Sequence, residues 1–314
     1  MKILNLTHSP CWFDDHFQYL LRQTGHTGET MYRSISNLTA EKADAIWQEL
    51  KDYFNSFDAI LVSHISTWSR IFLQNDWQKP LYIWFFFRFD FDITDREEYH
   101  NLLKAASVKP NVKIFAATET DRVYAETKLG FPIPVIKPFI CINNGPKTPI
   151  SCNEDTFYLV GKHNESLFAP RLKELGIPFY RQNWETTVPD LRGVLGVIHF
   201  PYVYATRSFI ETLAVGNVYF LPTERFLTEL RHNPSYFWDG TLSQDHTQGD
   251  YSLTEWYSQE HNGLFVYFDN FEQLQEMSQS AYLTGPIAEI KNNIQEFVKK
   301  QNEKALKEWT ELFR

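Results

Sequence analysis

The stretch RSFIETLAVGNVYFLPT, Arg207 to Thr223, decides the fold. It reads as a short helix carrying one acidic residue, Glu211, then a tight turn at Gly216-Asn217, then a buried strand, Val218 to Leu221. Thr212, Ala214 and Gly216 are small, so the helix can lie close against a sheet. A helix that runs through a turn into an apolar strand is one step of a parallel α/β sheet.

The same step recurs on either side. Before it, Phe157 to Val160 reads as a strand, Ala169 to Leu175 as a helix stopped by Gly176, and Ile177 to Tyr180 and Val194 to His199 as strands. After it, Glu224 to His232 is helical, Leu264 to Phe268 a strand and Phe271 to Ser280 a helix. The first half repeats the alternation, with strands at Lys2–Leu6, Asp58–Ser63, Leu81–Phe87, Val112–Ala117 and Val135–Phe139. Its helices are His16–Gln23, Ala40–Phe54, Glu97–Ser107 and Glu119–Leu129, the last ended by Gly130. In Ala40–Phe54 the residues Ala43, Ile46, Trp47, Leu50 and Phe54 share one face, with Thr39 as N-cap. The strands are continuous apolar runs, as burial on both faces requires. The polar, turn-rich segment Asn143–Pro149 separates the halves, and Ile287 to Phe313 is a long amphipathic helix. The expected fold class is α/β, two parallel-sheet domains in tandem. A cleft is expected where the carboxyl ends of their strands face each other, because ligands bind there in such sheets.

The 314 residues suit two domains of ordinary size, and 43% hydrophobic residues supply a sizeable core. Aromatic residues reach 16%, with 26 Phe and 16 Tyr, most of them in the strand runs. A net charge of -9 argues against a nucleic-acid backbone as the main partner. Cys11, Cys141 and Cys152 show no CxxC spacing and fit a reducing compartment with free thiols. No apolar leader follows Met1-Lys2, and no run approaches the ~18 residues of a membrane span. The expectation is a soluble, cytoplasmic protein; nothing in the sequence speaks to its oligomeric state.

Several residues have chemistry to offer. Glu211, a lone carboxylate on a helix that feeds a parallel strand, is placed to grip a ribose. The unpaired backbone N–H groups at that helix start suit a phosphate, with Arg207 and Ser208 beside them and Thr206 just before. Gly161 and Lys162 follow the strand Phe157–Val160, and Lys162 puts a cation in that loop, where it could stabilise developing negative charge. In the first half, Arg88-Phe89-Asp90-Phe91-Asp92 leaves the strand LYIWFFF: Asp90 is a candidate general base, with Arg88 orienting it or the acceptor. Asp90-Asp92 also matches a short metal-binding DxD, a pattern common by chance. The first loop offers His8, Asp14, Asp15 and His16; His8 is an alternative base, and Asp14 or Asp15 is either a base or a cap for the following helix. His64 and Trp68 follow a third strand, where Trp68 would stack on a sugar face. There is no zinc spacing, no GxxxxGK[ST], no GxGxxG and no GxSxG, which removes the common kinase, dinucleotide oxidoreductase and serine-hydrolase readings.

Ser208-Phe209-Ile210-Glu211-Thr212-Leu213-Ala214-Val215-Gly216-Asn217 resembles the donor-binding signature of GT-B glycosyltransferases, including the matching segment of phage DNA β-glucosyltransferases and of transferases of large viruses and algae. The resemblance implies Rossmann-like domains over 1–142 and 150–284, with the helix 285–314 returning to the first. It implies a donor domain in which Glu211 holds the ribose and Lys162, Arg207, Ser208, Thr206 and Gly161 surround the diphosphate of a UDP-sugar or GDP-sugar. It also implies an acceptor domain using Arg88, His64 and Trp68, with Asp90, His8 or Asp14 as base, and no metal or other cofactor. Retaining members often carry a second Glu eight residues before the first; Val203 stands there, which points to inversion. The charge favours a glycan or small-molecule acceptor over DNA. A two-lobed sugar- or nucleotide-binding protein without catalysis is the alternative.

Overall fold

The apolar runs of the first half pair as a five-stranded parallel sheet. Its strands are β1 (Lys2–Thr7), β2 (Thr27–Tyr32), β3 (Ala59–His64), β4 (Leu81–Phe85) and β5 (Val112–Ala116), in the order β2-β1-β3-β4-β5. The computed structural model describes residues 1–7, 12–32, 36–141, 147–148, 156–160, 163–180, 188–189, 191, 194–233, 235–236, 250–279 and 285–314. They form two compact units, Met1–Phe139 with Glu303–Arg314, and Ile140–Asn302.

In the first unit, alternate residues of each central strand serve opposite helical layers. Leu4, Leu6, Ile60, Val62, Ile83 and Phe85 join the core built with α2 (Ala40–Asn55), α3 (Arg70–Leu73), α4 (Arg96–Ala106) and α5 (Glu119–Leu129). Trp84 and Phe115 look the other way, toward α1 (Trp12–Thr24) and the end of the C-terminal helix. There Trp309 sets its ring 5.2 Å from Trp84 and 5.3 Å from Phe115, fully buried. Caps define the helices as their side chains dictate: Thr39 accepts from the Lys42 N–H, Thr118 from Asp121 N–H, and Gly130 closes α5 at φ 76°.

Two segments differ from the sequence reading, which assigned no element to the first and a strand to the second. Thr27–Tyr32 is a strand although TGETMY has no apolar run; it is the sheet edge, half exposed along its length. Gly28 is required there, since a Cβ would lie 2.2 Å from the Ile3 carbonyl oxygen. Val135–Phe139 is not a strand. It makes one bridge, Val135 with Ala116, because Pro134 and Pro138 have no N–H to donate.

The second unit repeats the topology. β7 (Phe157–Leu159), β8 (Phe179–Tyr180), β10 (Val197–Ile198), β11 (Tyr219–Pro222) and β12 (Phe265–Phe268) pair in parallel in the order β12-β11-β10-β7-β8. Taken in chain order the second strand again sits at the edge beside the first, and the order reverses between the first and the third. The strands alternate with α6 (His163–Glu174), α7 (Arg207–Ala214), α8 (Glu224–His232), α9 (Phe271–Met277) and α10 (Pro286–Leu312). The expected linker contains β6 (Lys147–Thr148), which pairs with β9 (Val188–Pro189) as a separate two-stranded ribbon. The terminal helix is one continuous element whose last residues, from Glu303, belong to the first unit. No helix among the described residues is long and apolar enough to cross a membrane.

His16 lies in α1, which begins at Trp12 and not at His16 as expected. Its Nδ1 accepts the Phe139 backbone N–H at 2.9 Å, so the ring proton sits on Nε2. The rings of Trp84 and Phe139 lie 4.7 and 4.9 Å away. Burial pushes its pKa down from 6.5 to about 3. The folded value is the lower one, so the unfolded chain takes up the proton first as pH falls. This histidine therefore costs stability below pH 6.5, by about 1.4 kcal/mol per pH unit until the folded pKa is approached. His16→Asn keeps an acceptor near the Nδ1 position and removes the titration. Urea midpoints should be lower for this variant at pH 7.5 but fall less steeply than wild type between pH 6.5 and 4.5.

Candidate active site

In the second unit the site is built where β10 ends and α7 begins. Thr206 is extended (φ -138°, ψ 158°); its Oγ1 accepts the Phe209 N–H at 3.3 Å and shares a hydrogen bond with Ser208 Oγ at 2.7 Å. The cap turns the first backbone N–H groups of α7 toward the carboxyl edge of the sheet. Glu211, one turn on, is 6% exposed, and Ser208 is 4% exposed. Rings of Phe209, Tyr219 and Trp256 pack beside them, Phe209 5.4 Å from Trp256. Trp256 Nε1 donates to the Val203 carbonyl at 2.6 Å and Glu255 N–H to the Tyr204 carbonyl at 2.9 Å, which pins the loop leading into α7. Asn217 is structural: its Nδ2 holds the carbonyls of Leu191 and Val194, and its Oδ1 accepts the Val218 N–H. Gly161, Lys162 and His8 lie outside the described residues, as does the side chain of Arg207.

His199, just past β10, was not singled out by sequence. It is fully buried, its ring 4.4 Å from Trp256, and burial lowers its pKa to about 3, so it is neutral. Glu255, Glu260 and His261 are a second unexpected group, with one ligand-type atom from each within 4.8 Å of the others. His261 Nδ1 lies 2.7 Å from the Glu255 carbonyl oxygen, and Nε2 is 3.5 and 3.4 Å from the Glu255 and Glu260 carboxylates.

In the first unit the chemistry collects at the carboxyl ends of β3 and β4. His64, Phe87, Arg88 and Asp92 all adopt positive φ (73°, 70°, 28° and 56°), an unfavourable conformation for side-chain-bearing residues. The loop is bolted in place: Arg88 N–H donates to Asp121 Oδ1 at 2.9 Å, and Ser66 Oγ donates to the Phe89 carbonyl. Asp90 is 1% exposed. Its oxygens take His100 Nε2 at 3.1 Å and the Tyr124 hydroxyl at 3.2 Å, with Arg88 Nε at 3.6 Å. Burial raises its pKa, but the His100 hydrogen bond and the charges of Arg88, His100 and Arg96 outweigh that and hold it below the ordinary carboxylate range.

Some expected roles change with these positions. Asp90 is a held anion, not an open carboxylate. Trp68 is 1% exposed on the turn Ser66–Ser69, inside the core cluster, so it offers no face to a sugar. Asp14 lies within α1 and does not cap it; its Oδ1 accepts the Thr30 hydroxyl at 2.5 Å. His64 ends β3 with its ring 5.6 Å from Phe87, and Arg88 lies 5.4 Å over the Tyr124 ring. His100 and Tyr124 were missed because only the fold brings α4 and α5 to the loop after β4.

The whole chain superposes on a glycosyltransferase from Rickettsia africae ESF-5 with a TM-score of 0.58 and 12% identity, covering 100% of this chain and 98% of that one. The fold is GT-B-like. T4 phage β-glucosyltransferase also aligns, with a TM-score of 0.48, 12% identity and 100% and 98% of the two chains covered. So does CalG4, the calicheamicin glycosyltransferase, with 0.45, 10%, 96% and 94%. At these scores the last two add nothing to the fold argument. No family model and no curated protein matches the sequence.

Asp90→Asn puts an N–H₂ where two donors converge. The variant should lose about 1–3 kcal/mol of stability in urea titrations at pH 7. Tyr124→Phe, which removes one of the two donors and leaves the carboxylate with His100, should lose less.

Proposed function

We propose that the chain moves a sugar from a nucleotide-diphospho-sugar, a UDP- or GDP-sugar, to an acceptor hydroxyl. The observation that carries this reading is the start of α7 in a doubly wound sheet: a capped helix terminus, the Thr206–Ser208 hydroxyl pair and Glu211 gathered at the carboxyl end of β10. Glu211 takes the ribose hydroxyls, and the α7 N–H groups with Ser208, Arg207 and Lys162 take the diphosphate. Those cations stabilise the leaving charge, so no metal is needed for that purpose. The full-length likeness to a glycosyltransferase of the same fold supports the assignment.

The first unit presents the acceptor. A carboxylate held below its usual range is a weak proton acceptor, so Asp90 serves better as an orienting anion. His100, 16% exposed and hydrogen-bonded to Asp90 through Nε2, then becomes the base candidate alongside His8. In the step, the acceptor oxygen bonds the anomeric carbon, the bond from that carbon to the diphosphate oxygen breaks, the proton goes to the imidazole and the nucleoside diphosphate leaves. Attack opposite the leaving group inverts the centre, in keeping with Val203 in place of a second glutamate.

Thermal-shift screening against UDP, GDP, dTDP and their sugars tests the reading. One nucleotide class should raise the melting temperature by mass action, and nucleotide release should separate a transferase from a silent binder. Glu211→Ala should weaken donor binding about tenfold, equivalent to ~1.4 kcal/mol. His100→Gln should lower turnover about 10²–10⁴-fold with donor affinity intact. No shift with any nucleotide sugar would remove the proposal.

A further inference from the structure

The carboxyl ends of β1 and β3 lie at the point where the order of the first sheet reverses, and one face there is polar. Asn5 stands opposite Thr30, and Thr7 opposite Tyr32. Residues two apart on a strand share a face, so Asn5, Thr7, Thr30 and Tyr32 all look to the side of α1, where Thr30 meets Asp14. On the far side of β1, Ser63 Oγ donates to Asn5 Oδ1 at 2.7 Å.

That bond uses the Asn5 carbonyl oxygen and leaves its amide. Asn5 Nδ2 and Thr7 Oγ1 have no hydrogen-bond partner among the described residues, on side chains 0% and 1% exposed. Each such group costs about 1–3 kcal/mol while it stays unmade, so a fold that keeps two of them side by side needs an account of them. Two other observations lie at the same edge. Tyr32, 39% exposed at the end of β2, and Phe91, 48% exposed on the loop after β4, are the exposed Phe and Tyr side chains among the described residues. The carboxylate at the site, Asp14, disfavours a phosphate or a nucleic-acid backbone there, as does the chain's net charge of -9.

An amide donor, a hydroxyl, a carboxylate acceptor and an aromatic face are what a neutral sugar requires. Its hydroxyls both donate and accept, and its C–H face stacks on a ring. We propose that this edge of the first unit binds a neutral saccharide acceptor, with Asn5, Thr7 and Asp14 taking its hydroxyls and Tyr32 its apolar face. That the saccharide is an acceptor rests on the transferase reading; that a saccharide binds does not.

Thr7→Val keeps the shape of the side chain and removes only the hydroxyl. A hydroxyl with no partner in the free protein can be deleted at no cost, so the melting temperature should hold or rise while saccharide affinity falls about tenfold. Tyr32→Ala, at an exposed position, should weaken the same ligand without unfolding. Ligand-observed NMR with maltose, cellobiose and lactose, in the absence of donor, reads binding directly, with a DNA duplex as the anionic comparison. Binding of one disaccharide by wild type, weakened in both variants, is the expected result. Nucleotide-sugar binding without disaccharide binding, equal disaccharide binding in all three proteins, preference for the duplex, or a Thr7→Val protein that melts several degrees lower would each overturn the proposal. The transferase reading stands or falls separately, on the nucleotide screen.

Discussion

A parallel strand that is apolar on both faces survives only between two layers of helix. This constraint organises everything else. LYIWFFF, with Ile83 and Phe85 toward one layer and Tyr82 and Trp84 toward the other, cannot leave either side to water. Every connection between parallel neighbours must then cross over the sheet, and every strand in a unit ends at the same edge. Thr7, His64, the loop around Asp90 and Thr118 follow from this at one edge of the first unit, and His199 and Thr206 at one edge of the second. The grouping of polar side chains is a product of topology before it is a product of chemistry.

What could be read from the sequence follows the strength of that signal. Central strands such as Ala59–His64 and Leu81–Phe85 announce themselves as uninterrupted apolar runs, and helices announce themselves where a cap precedes a periodic face, as Thr39 does at α2, or a glycine ends one, as Gly130 does at α5. The edge strand β2 gives no such signal. On one side no described strand pairs with it, so Thr, Gly and Glu are tolerated, and the information that fixes it is the close approach of Gly28 to Ile3. Val135–Phe139 fails for the opposite reason: Ile136 and Phe139 are buried, but Pro134 and Pro138 withdraw donors a ladder needs.

The placement of the candidate residues was legible in part. Glu211 and Ser208 could be placed on a helix start at the carboxyl edge because a helix start after a strand has a position and a polarity that the chain itself declares. Asp90 was visible as a charge at a strand exit, but its role was not. Whether a carboxylate is open or held depends on donors from α4 and α5, ten and thirty-four residues away. Trp68 misled because an aromatic residue after a strand looks the same in sequence whether it faces solvent or, as here, is buried in the core cluster.

The two edges are prepared in different ways. In the second unit the groups around Glu211 are closely covered and the loop before them is tied to Glu255 and Trp256 by backbone and indole hydrogen bonds. In the first, preparation takes the form of strain: Phe87, Arg88 and Asp92 hold left-handed backbone that relaxes unless something prevents it. Asp121 and Ser66 prevent it by binding the backbone at Arg88 and Phe89. The outcome is a buried Asp90 presented to His100 and Tyr124. Strain of about 1–3 kcal/mol per residue is tolerable only where the surrounding structure over-determines the conformation. Here Asp121 of α5 and Ser66 of the turn after β3 supply that, while Tyr124 of α5 and His100 of α4 hold the carboxylate, so α5 takes part in fixing both the loop and its charge.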